Sequence, residues 1–558
     1  MPLSPMPPAF TPKLVSVLRE GYDLLRFRAD ATAGLTVAIV ALPLAMALGI
    51  ASGASPDKGL VTAVVAGFLI SLLGGSRVQV GGPTGAFVVV VFNVIAQHGY
   101  DGLLLATLLA GIILAIAGYA KLGQLIKFIP HPVITGFTAG IAVIIATSQI
   151  KDFLGLSLAS VPAEFLPKWA AYFGAIDTIS LLTLAIGAGA LALIIILRKV
   201  APRLPGFLIA VVAASVAVVL LRLPVETIGS RFPAMPAGLP MPHVPPVSLD
   251  RIREVLPSAF TIAFLAGIEA LLSAVVADGM TGFRHRSNQE LVGQGMANIA
   301  SAMFGGLPAT GAIARTATNI KAGARTPVAG ILHAAFLLLF IMFGAKLMAF
   351  VPMAALAAIL FMVAWGMSEA RHFIGHMRMP NADRAVLLLT FGLTVLVDLT
   401  VAIGVGVTLA SLLFMARMSA TVEVSADGHG DPDDDEEEGE DVHQRDAIPA
   451  GVEVFRISGP FFFGAVGGLL DTFRAMGRRP AIIIVRMRLV PMIDATGATA
   501  IEAFVDQAER AGTQVILSGV MPQPLEMLRR VHLGPQDGRI LFAASYADAL
   551  RLAADVPA

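Results

Sequence analysis

The chain has 558 residues, of which 56% are hydrophobic and only 14% charged, whereas soluble proteins carry about 25% charged residues. Its 39 basic and 39 acidic side chains cancel, so nothing in the balance points to nucleic acid or another polyanion. The absence of cysteine excludes disulfides, thiolate catalysis and Cys-based metal sites.

Residues 1–30 lack the short apolar core and small-residue cleavage site of a signal peptide. They read as a cytoplasmic N-terminal segment, with the first apolar stretch retained as a span. From there to residue 420 the apolar residues come in runs of about 20, the length that crosses a bilayer as helix. Fourteen runs are read, at roughly 31–52, 57–76, 83–98, 101–120, 130–150, 177–199, 205–222, 257–278, 288–304, 309–321, 326–349, 351–369, 383–398 and 400–418. A Pro-rich stretch from Leu223 to Pro257 parts the seventh from the eighth, which predicts seven plus seven. Lys and Arg set the orientation. With the N-terminus in the cytoplasm, that side collects Arg19, Arg26, Arg77, Lys127, Arg198, Arg284, Arg325, Arg378 and Arg417, among others, and the outer loops keep few, such as Lys58, Lys151 and Lys346. Both termini are therefore expected in the cytoplasm of a bacterial cell, with the chain multi-pass in the inner membrane and in contact with lipid.

Residues 421–448 contain the run Asp433-Asp434-Asp435-Glu436-Glu437-Glu438. Like charges repel, so this stretch reads as a disordered linker or as an acidic docking segment. Residues 449–558 have soluble patterning. Strands are predicted at 452–457, 481–485 and 515–518, with helices over 498–511 and 523–531, which makes a small α/β domain.

Two of the short runs begin alike. The third is preceded by Gly81-Gly82-Pro83-Thr84-Gly85-Ala86 and the tenth by Gly305-Gly306-Leu307-Pro308-Ala309-Thr310-Gly311-Ala312. They hold equivalent places in two halves of seven, and because seven is odd the halves are inverted. Gly/Pro-interrupted segments at matching places are the best sequence pointer to a transporter site. Half-helices that start near mid-membrane direct free N–H groups and positive dipole ends at whatever lies between them. Arg315 follows the second motif. A charge at that depth costs about 2.5–3.5 kcal/mol on insertion scales, which points to anion attraction, or to a structural ion pair or snorkelling. Glu269 sits midway along the eighth run with Ser273 one turn on, on the same face. Desolvation penalises the charged form of a buried carboxyl, so Glu269 is a candidate H⁺ carrier, or a Na⁺ ligand with Ser273. Its alternative is a structural pair with Arg315.

The text Ala33-Gly34-Leu35-Thr36-Val37-Ala38 with Pro43-Leu44-Ala45-Met46, the Gly82-Pro83-Thr84 turn, Asn288-Gln289-Glu290-Leu291 with Gly293-Gln294-Gly295, and Gly305 through Arg315 resemble the sulfate permease (SulP) family, also called solute carrier family 26. The likeness covers nearly the whole chain. The stretches Gln149–Gly155, Asp278–Gly282 and Met362–Glu369 look most like a proteobacterial dicarboxylate transporter. The resemblance implies fourteen spans as two inverted repeats, a core and a gate domain, elevator-like movement and a homodimer. It implies a small anion bound by Thr84, Gly85, Ala314 and Arg315, faced by Leu44 and Leu48. Many relatives have Gln where this chain has Leu44, so a less polar wall is expected there. Members with cation coupling carry a carboxylate at the position of Glu269, and Glu is the more typical of proton-linked ones.

The tail resembles a STAS domain, named for sulfate transporters and anti-sigma factor antagonists. Asp494-Ala495-Thr496-Gly497 matches a loop that carries a phosphorylated Ser in the antagonists, so Thr496 is either a regulatory site or part of a plain capping loop. Relatives of this domain imply a cytoplasmic partner, acyl carrier protein among them. The expected activity is secondary uptake of a small anion coupled to H⁺, with C4-dicarboxylates first and sulfate or bicarbonate next. An anion channel or exchanger, and a sensor signalling through the tail, are the alternatives. No P-loop, HExxH or Ser-His-Asp order supports an enzyme, and no cofactor is expected beyond the coupling ion.

Overall fold

The computed structural model describes residues 10–124, 130–158, 161–162, 164–202, 204–232, 238–397, 399–420, 422–426, 448–449, 451–462, 480–535 and 537–555. The chain divides into two compact units, Met1–Val407 and Thr408–Ala558.

The first unit is helical. After a short α1 (Lys13–Arg19) come α2 (Leu24–Ala51), α3 (Pro56–Leu73), the two-residue strand β1 (Gly81–Gly82) and α4 (Phe87–Tyr119). Gly99, at φ 70°, breaks α4 in two. Then follow α5 (His131–Ser148), α6 (Ile150–Leu154), α7 (Phe165–Gly174), α8 (Leu181–Val200), α9 (Gly206–Leu220) and α10 (Ile228–Arg231). The second half holds α11 (Leu249–Thr281), α12 (Ser287–Met303), β2 (Thr310–Gly311), α13 (Ile313–Lys321), α14 (Val328–Met348), α15 (Met353–Met367), α16 (Ala370–His376) and α17 (Asn381–Leu396), and α18 (Leu399–Ala420) begins in it and continues past its boundary at Val407. Eight described helices are long and apolar enough to cross a membrane.

The packing repeats itself when the halves are exchanged. The contact of α2 with α14 answers that of α11 with α4; α3 with α14 answers α12 with α4; α5 with α17 answers α15 with α8. β1 pairs with β2 antiparallel, Gly81 opposite Gly311 and Gly82 opposite Thr310. An antiparallel meeting of equivalent segments is what inverted halves produce at their shared axis.

Two boundaries differ from expectation. The eighth segment starts at Leu249 rather than near 257, because Ser248 caps it by accepting from Arg251 N at 3.2 Å. Pro257 lies in the third turn of that helix. Strand β3 (Glu423–Ala426) occupies residues assigned above to the linker; it pairs antiparallel with β4 (Val452–Ser458). The acidic run itself lies outside the described residues.

In the second unit, parallel strands β4, β5 (Ile482–Leu489), β6 (Gln514–Ser518) and β7 (Leu541–Ala543) continue the sheet in that order after β3. Helices α19 (Ala495–Arg510), α20 (Pro522–Arg530) and α21 (Tyr546–Asp555) complete it. Phe455, Phe461, Phe504 and Leu517 form one apolar cluster of its core, and Val454, Ile484, Ile516 and Ala549 form another.

Two buried acids tie the first unit's turns to distant helices. Glu290, on α12, accepts from Gly75 N at 2.7 Å and Ser76 N at 3.1 Å. Asp30, on α2, accepts from Arg325 N, Thr326 N and the Thr326 hydroxyl. Orphaned buried donors cost about 1–3 kcal/mol each, so Glu290→Ala is expected to destabilise the protein by about 2–4 kcal/mol. Denaturant unfolding in detergent micelles measures it, and a loss below about 0.5 kcal/mol, the range of ordinary surface substitutions, contradicts this role.

Candidate functional site

Backbone that leaves helical geometry in an apolar interior must satisfy its own polar groups. The β1–β2 crossing does so with side chains drawn from across the bundle. The Asn298 side chain clamps Ala309 on both edges, donating to its carbonyl at 2.9 Å and accepting from its N–H at 2.8 Å. The Thr62 hydroxyl accepts from Leu307 N at 2.6 Å, and the Ser301 hydroxyl donates to Leu307 O at 2.6 Å. Thr310 donates to Ala266 O at 2.8 Å, and Asn319 donates to Val78 O at 2.9 Å. The Thr316 hydroxyl accepts from Val80 N at 3.1 Å, and Ala312 N donates to Val80 O at 3.0 Å.

From this crossing two helices start, α4 at Phe87 and α13 at Ile313, and neither has a side-chain cap. At α4 the Phe87 and Val88 N–H groups donate to Thr84 O at 3.3 Å and Gly85 O at 3.1 Å, and the dipole makes the starts of both helices positive.

The two predicted charges converge on the turn before α4. Arg315 is buried at 3% exposure. Its Nη2 donates to Pro83 O at 2.7 Å. Its Nε and Nη1 have no partner among the described residues. Gly82, at φ +149°, makes room for the guanidinium: a Cβ there would lie 2.3 Å from Nη1. Glu269 accepts from the Thr84 hydroxyl at 2.9 Å. The structural alternative of an ion pair between Glu269 and Arg315 is therefore not what forms; they take adjacent residues, Thr84 and Pro83, instead.

The other expected site residues are distributed as follows. Thr84 is half-buried and Gly85 buried. A Cβ on Gly85 would lie 2.5 Å from Met367 Sδ of α15 and 3.2 Å from Ile145 Cδ1 of α5. Ala314 is on the exposed side of the first turn of α13. Leu44 and Leu48 are buried in the same apolar cluster as Ala86 and Phe87. Ser273 does not join Glu269; its hydroxyl is 3.2 Å from that of Thr316. In the second unit, Asp494 caps α19 by accepting from Gly497 N at 2.7 Å, and Thr496 is exposed in its first turn. That is the geometry of a capping loop with an accessible hydroxyl. No cluster of His, Cys, Asp or Glu suited to a metal occurs among the described residues.

Three polar groups at the crossing escaped the sequence reading. Gln79 lies over Gly311, where a Cβ would meet its Nε2 at 1.6 Å. Asn298 and Thr62 hold the second break. Their one sequence signal was an amide or hydroxyl inside or beside an apolar run.

A model of the sulfate permease family matches residues 27–390, and a STAS domain model matches residues 444–548. The chain is 41% identical over 528 residues to the putative sulfate transporter YvdB of Bacillus subtilis, covering 94% of this chain and 97% of that one. It is 33% identical over 528 residues to the bicarbonate transporter BicA of Picosynechococcus, covering 91% of each. The murine Solute Carrier 26 family member A9 anion transporter, solved in an inward-facing state, superposes with a TM-score of 0.85 over 99% of this chain and 96% of that one, at 17% identity. This last likeness shows the fold.

The unpartnered guanidinium donors yield a prediction. Hydrogen bonds to charged groups contribute about 1.5–3 kcal/mol, so Arg315→Ala is expected to weaken sulfate or succinate binding about 10- to 100-fold. Isothermal titration of the full chain in detergent measures this, and an unchanged affinity contradicts the assignment.

Proposed function

Because the chain belongs to the sulfate permease family, we propose that it is a secondary active transporter that moves one small anion together with a proton by elevator-like alternating access. It is an anion transporter with a STAS domain by family; the coupling, the site and the substrate are the proposal. The anion sits between the starts of α4 and α13, against Arg315, Thr84, Gly85 and Ala314, with Leu44 and Leu48 as an apolar wall.

The observation that carries the reading is the Thr84–Glu269 hydrogen bond. A hydroxyl has one proton to give, and an ionised carboxylate can only accept. With Glu269 ionised, that proton points at the carboxylate. Thr84 then offers an anion only lone pairs, beside a like charge. With Glu269 protonated, the carboxylic acid donates to Thr84 and the hydroxyl proton turns toward the anion. Proton and anion thus favour each other's binding, and the coupling is reciprocal. Because Ser273 is engaged with Thr316, the H⁺ reading is favoured over a Na⁺ site built from Glu269 and Ser273.

The C4-dicarboxylates succinate and fumarate come first as substrates, from the sequence resemblance to a dicarboxylate transporter. Sulfate and bicarbonate form the second reading, favoured by what the relatives YvdB and BicA are named for. Both termini in the cytoplasm of the inner membrane, homodimers, and a cytoplasmic partner for the STAS domain through the Thr496 loop belong to the same proposal.

Glu269→Gln places a permanent donor beside Thr84 and mimics the protonated acid. In proteoliposomes, wild-type uptake of labelled succinate is expected to rise with an inward H⁺ gradient. The variant is expected to keep anion exchange and lose the response to the gradient. Unchanged gradient dependence contradicts coupling through Glu269, and currents far above carrier turnover favour a channel.

A further inference from the structure

A second polar cavity, of about 150 Å³, lies beside the central site. Its lining includes Val88 and Val89, one helical turn past Gly85, with Phe92 and Asn93 beyond them. The end of α2 at Ile50, the end of α5 at Gln149, and Lys168 of α7 enclose it. Lys151 also lines it, and in the orientation read from the loops that residue is on the outer side of the membrane.

The charges around it do not cancel. Arg231 is held by two carboxylates, Asp152 at 2.7 Å and Glu226 through its Nε at 2.7 Å. Lys151 donates to Leu158 O at 2.9 Å. Lys168 is 5% exposed, and its ammonium makes no ion pair or hydrogen bond among the described residues. Its one described neighbour of consequence is the Phe92 ring, 5.6 Å from Nζ to the centroid. Burial lowers the Lys168 amine from its ordinary value, and a buried charge without a counter-ion is unfavourable unless something compensates it. A cation–π contact contributes about 0.5–2 kcal/mol and leaves the three N–H donors unused. The Asn93 side chain faces the same space and likewise has no described partner.

We propose that this cavity is a second, outer anion site, in which the Lys168 ammonium and the Asn93 amide hold one carboxylate or inorganic oxyanion before it reaches the central site. Asp152 also lines the cavity, and its pairing with Arg231 offsets the carboxylate's charge there. The proposal takes its choice of anions from the transport reading and is otherwise independent of it.

Trp169 adjoins Lys168 and packs on Tyr172 and Phe173, and the sequence has only two tryptophans. In a Trp365→Phe background of the full chain, Trp169 emission is titrated with sodium succinate, sodium sulfate and sodium bicarbonate at constant ionic strength. A saturable change is expected for at least one anion. Lys168→Met is expected to weaken it about tenfold, the loss of one charge-assisted contact, while Lys168→Arg stays within about threefold. Arg315→Ala, which weakens the central site, is expected to leave this titration in place. In proteoliposomes Lys168→Met raises the half-saturating concentration and leaves the maximal rate close to wild type, a split that a structural defect does not produce. Asn93→Leu serves as the second variant and is expected to weaken the titration severalfold. A titration unchanged in both Lys168→Met and Asn93→Leu, or one that never saturates, overturns the proposal. A saturable, Lys168-dependent titration without uptake supports the outer site and counts against the transport reading.

Discussion

The constraint on which the rest depends is the crossing of two broken segments inside an apolar bundle. Extended backbone there has no water to turn to, so each N–H and C=O needs a partner from the protein. β1 and β2 supply part of this by pairing with each other, and Asn298, Thr62, Thr310, Thr316 and Asn319 supply more. The small residues of the crossing let those partners approach, with Gly311 under Gln79 and Gly82 beside Arg315. The consequence is that two uncapped helix starts and one guanidinium are held together, with Glu269 one residue away but not hydrogen-bonded to the guanidinium among the described residues. Such a place is suited to negative charge. Backbone dipoles by themselves do not distinguish one small oxyanion from another.

Much of this was legible from the residues. Glycine and proline at equivalent places in two sevenfold sets announce the breaks, and Arg315 and Glu269 stand out because charge is rare in apolar runs. What each charge touches was not legible. Arg315 reaches Pro83 and Glu269 reaches Thr84, contacts that span 232 and 185 residues. A local pattern holds no information about them, which is why an Arg315–Glu269 pair remained an alternative. Ser273 was placed on the correct face of α11, yet its hydroxyl meets Thr316 from another helix. The early start of α11 follows from the Ser248 cap, a signal outweighed by the prolines around it. β3 is four residues long and precedes an acidic run whose composition dominated the reading.

The polar interior divides the labour of carrying charge. Asp30 and Glu290 accept from backbone N–H groups and from neighbouring side chains and hold turns to helices. Glu269 and Thr84 share a single hydrogen bond that can reverse its direction, and Arg315 keeps donors in reserve. Lys168 of α7 repeats that last arrangement over Phe92, two helical turns past Gly85 along α4. A buried cation with unused donors thus occurs at two places in the helical unit.

The central claim is that an anion binds between the starts of α4 and α13. The measurement that tests it most directly is a structure of the full chain soaked with selenate, located by anomalous scattering at the selenium edge. The account predicts one peak within hydrogen-bonding distance of the Arg315 guanidinium and the first-turn amides of α4 and α13, lost in Arg315→Ala. Anomalous density confined to other parts of the molecule, with none at that crossing, would contradict it.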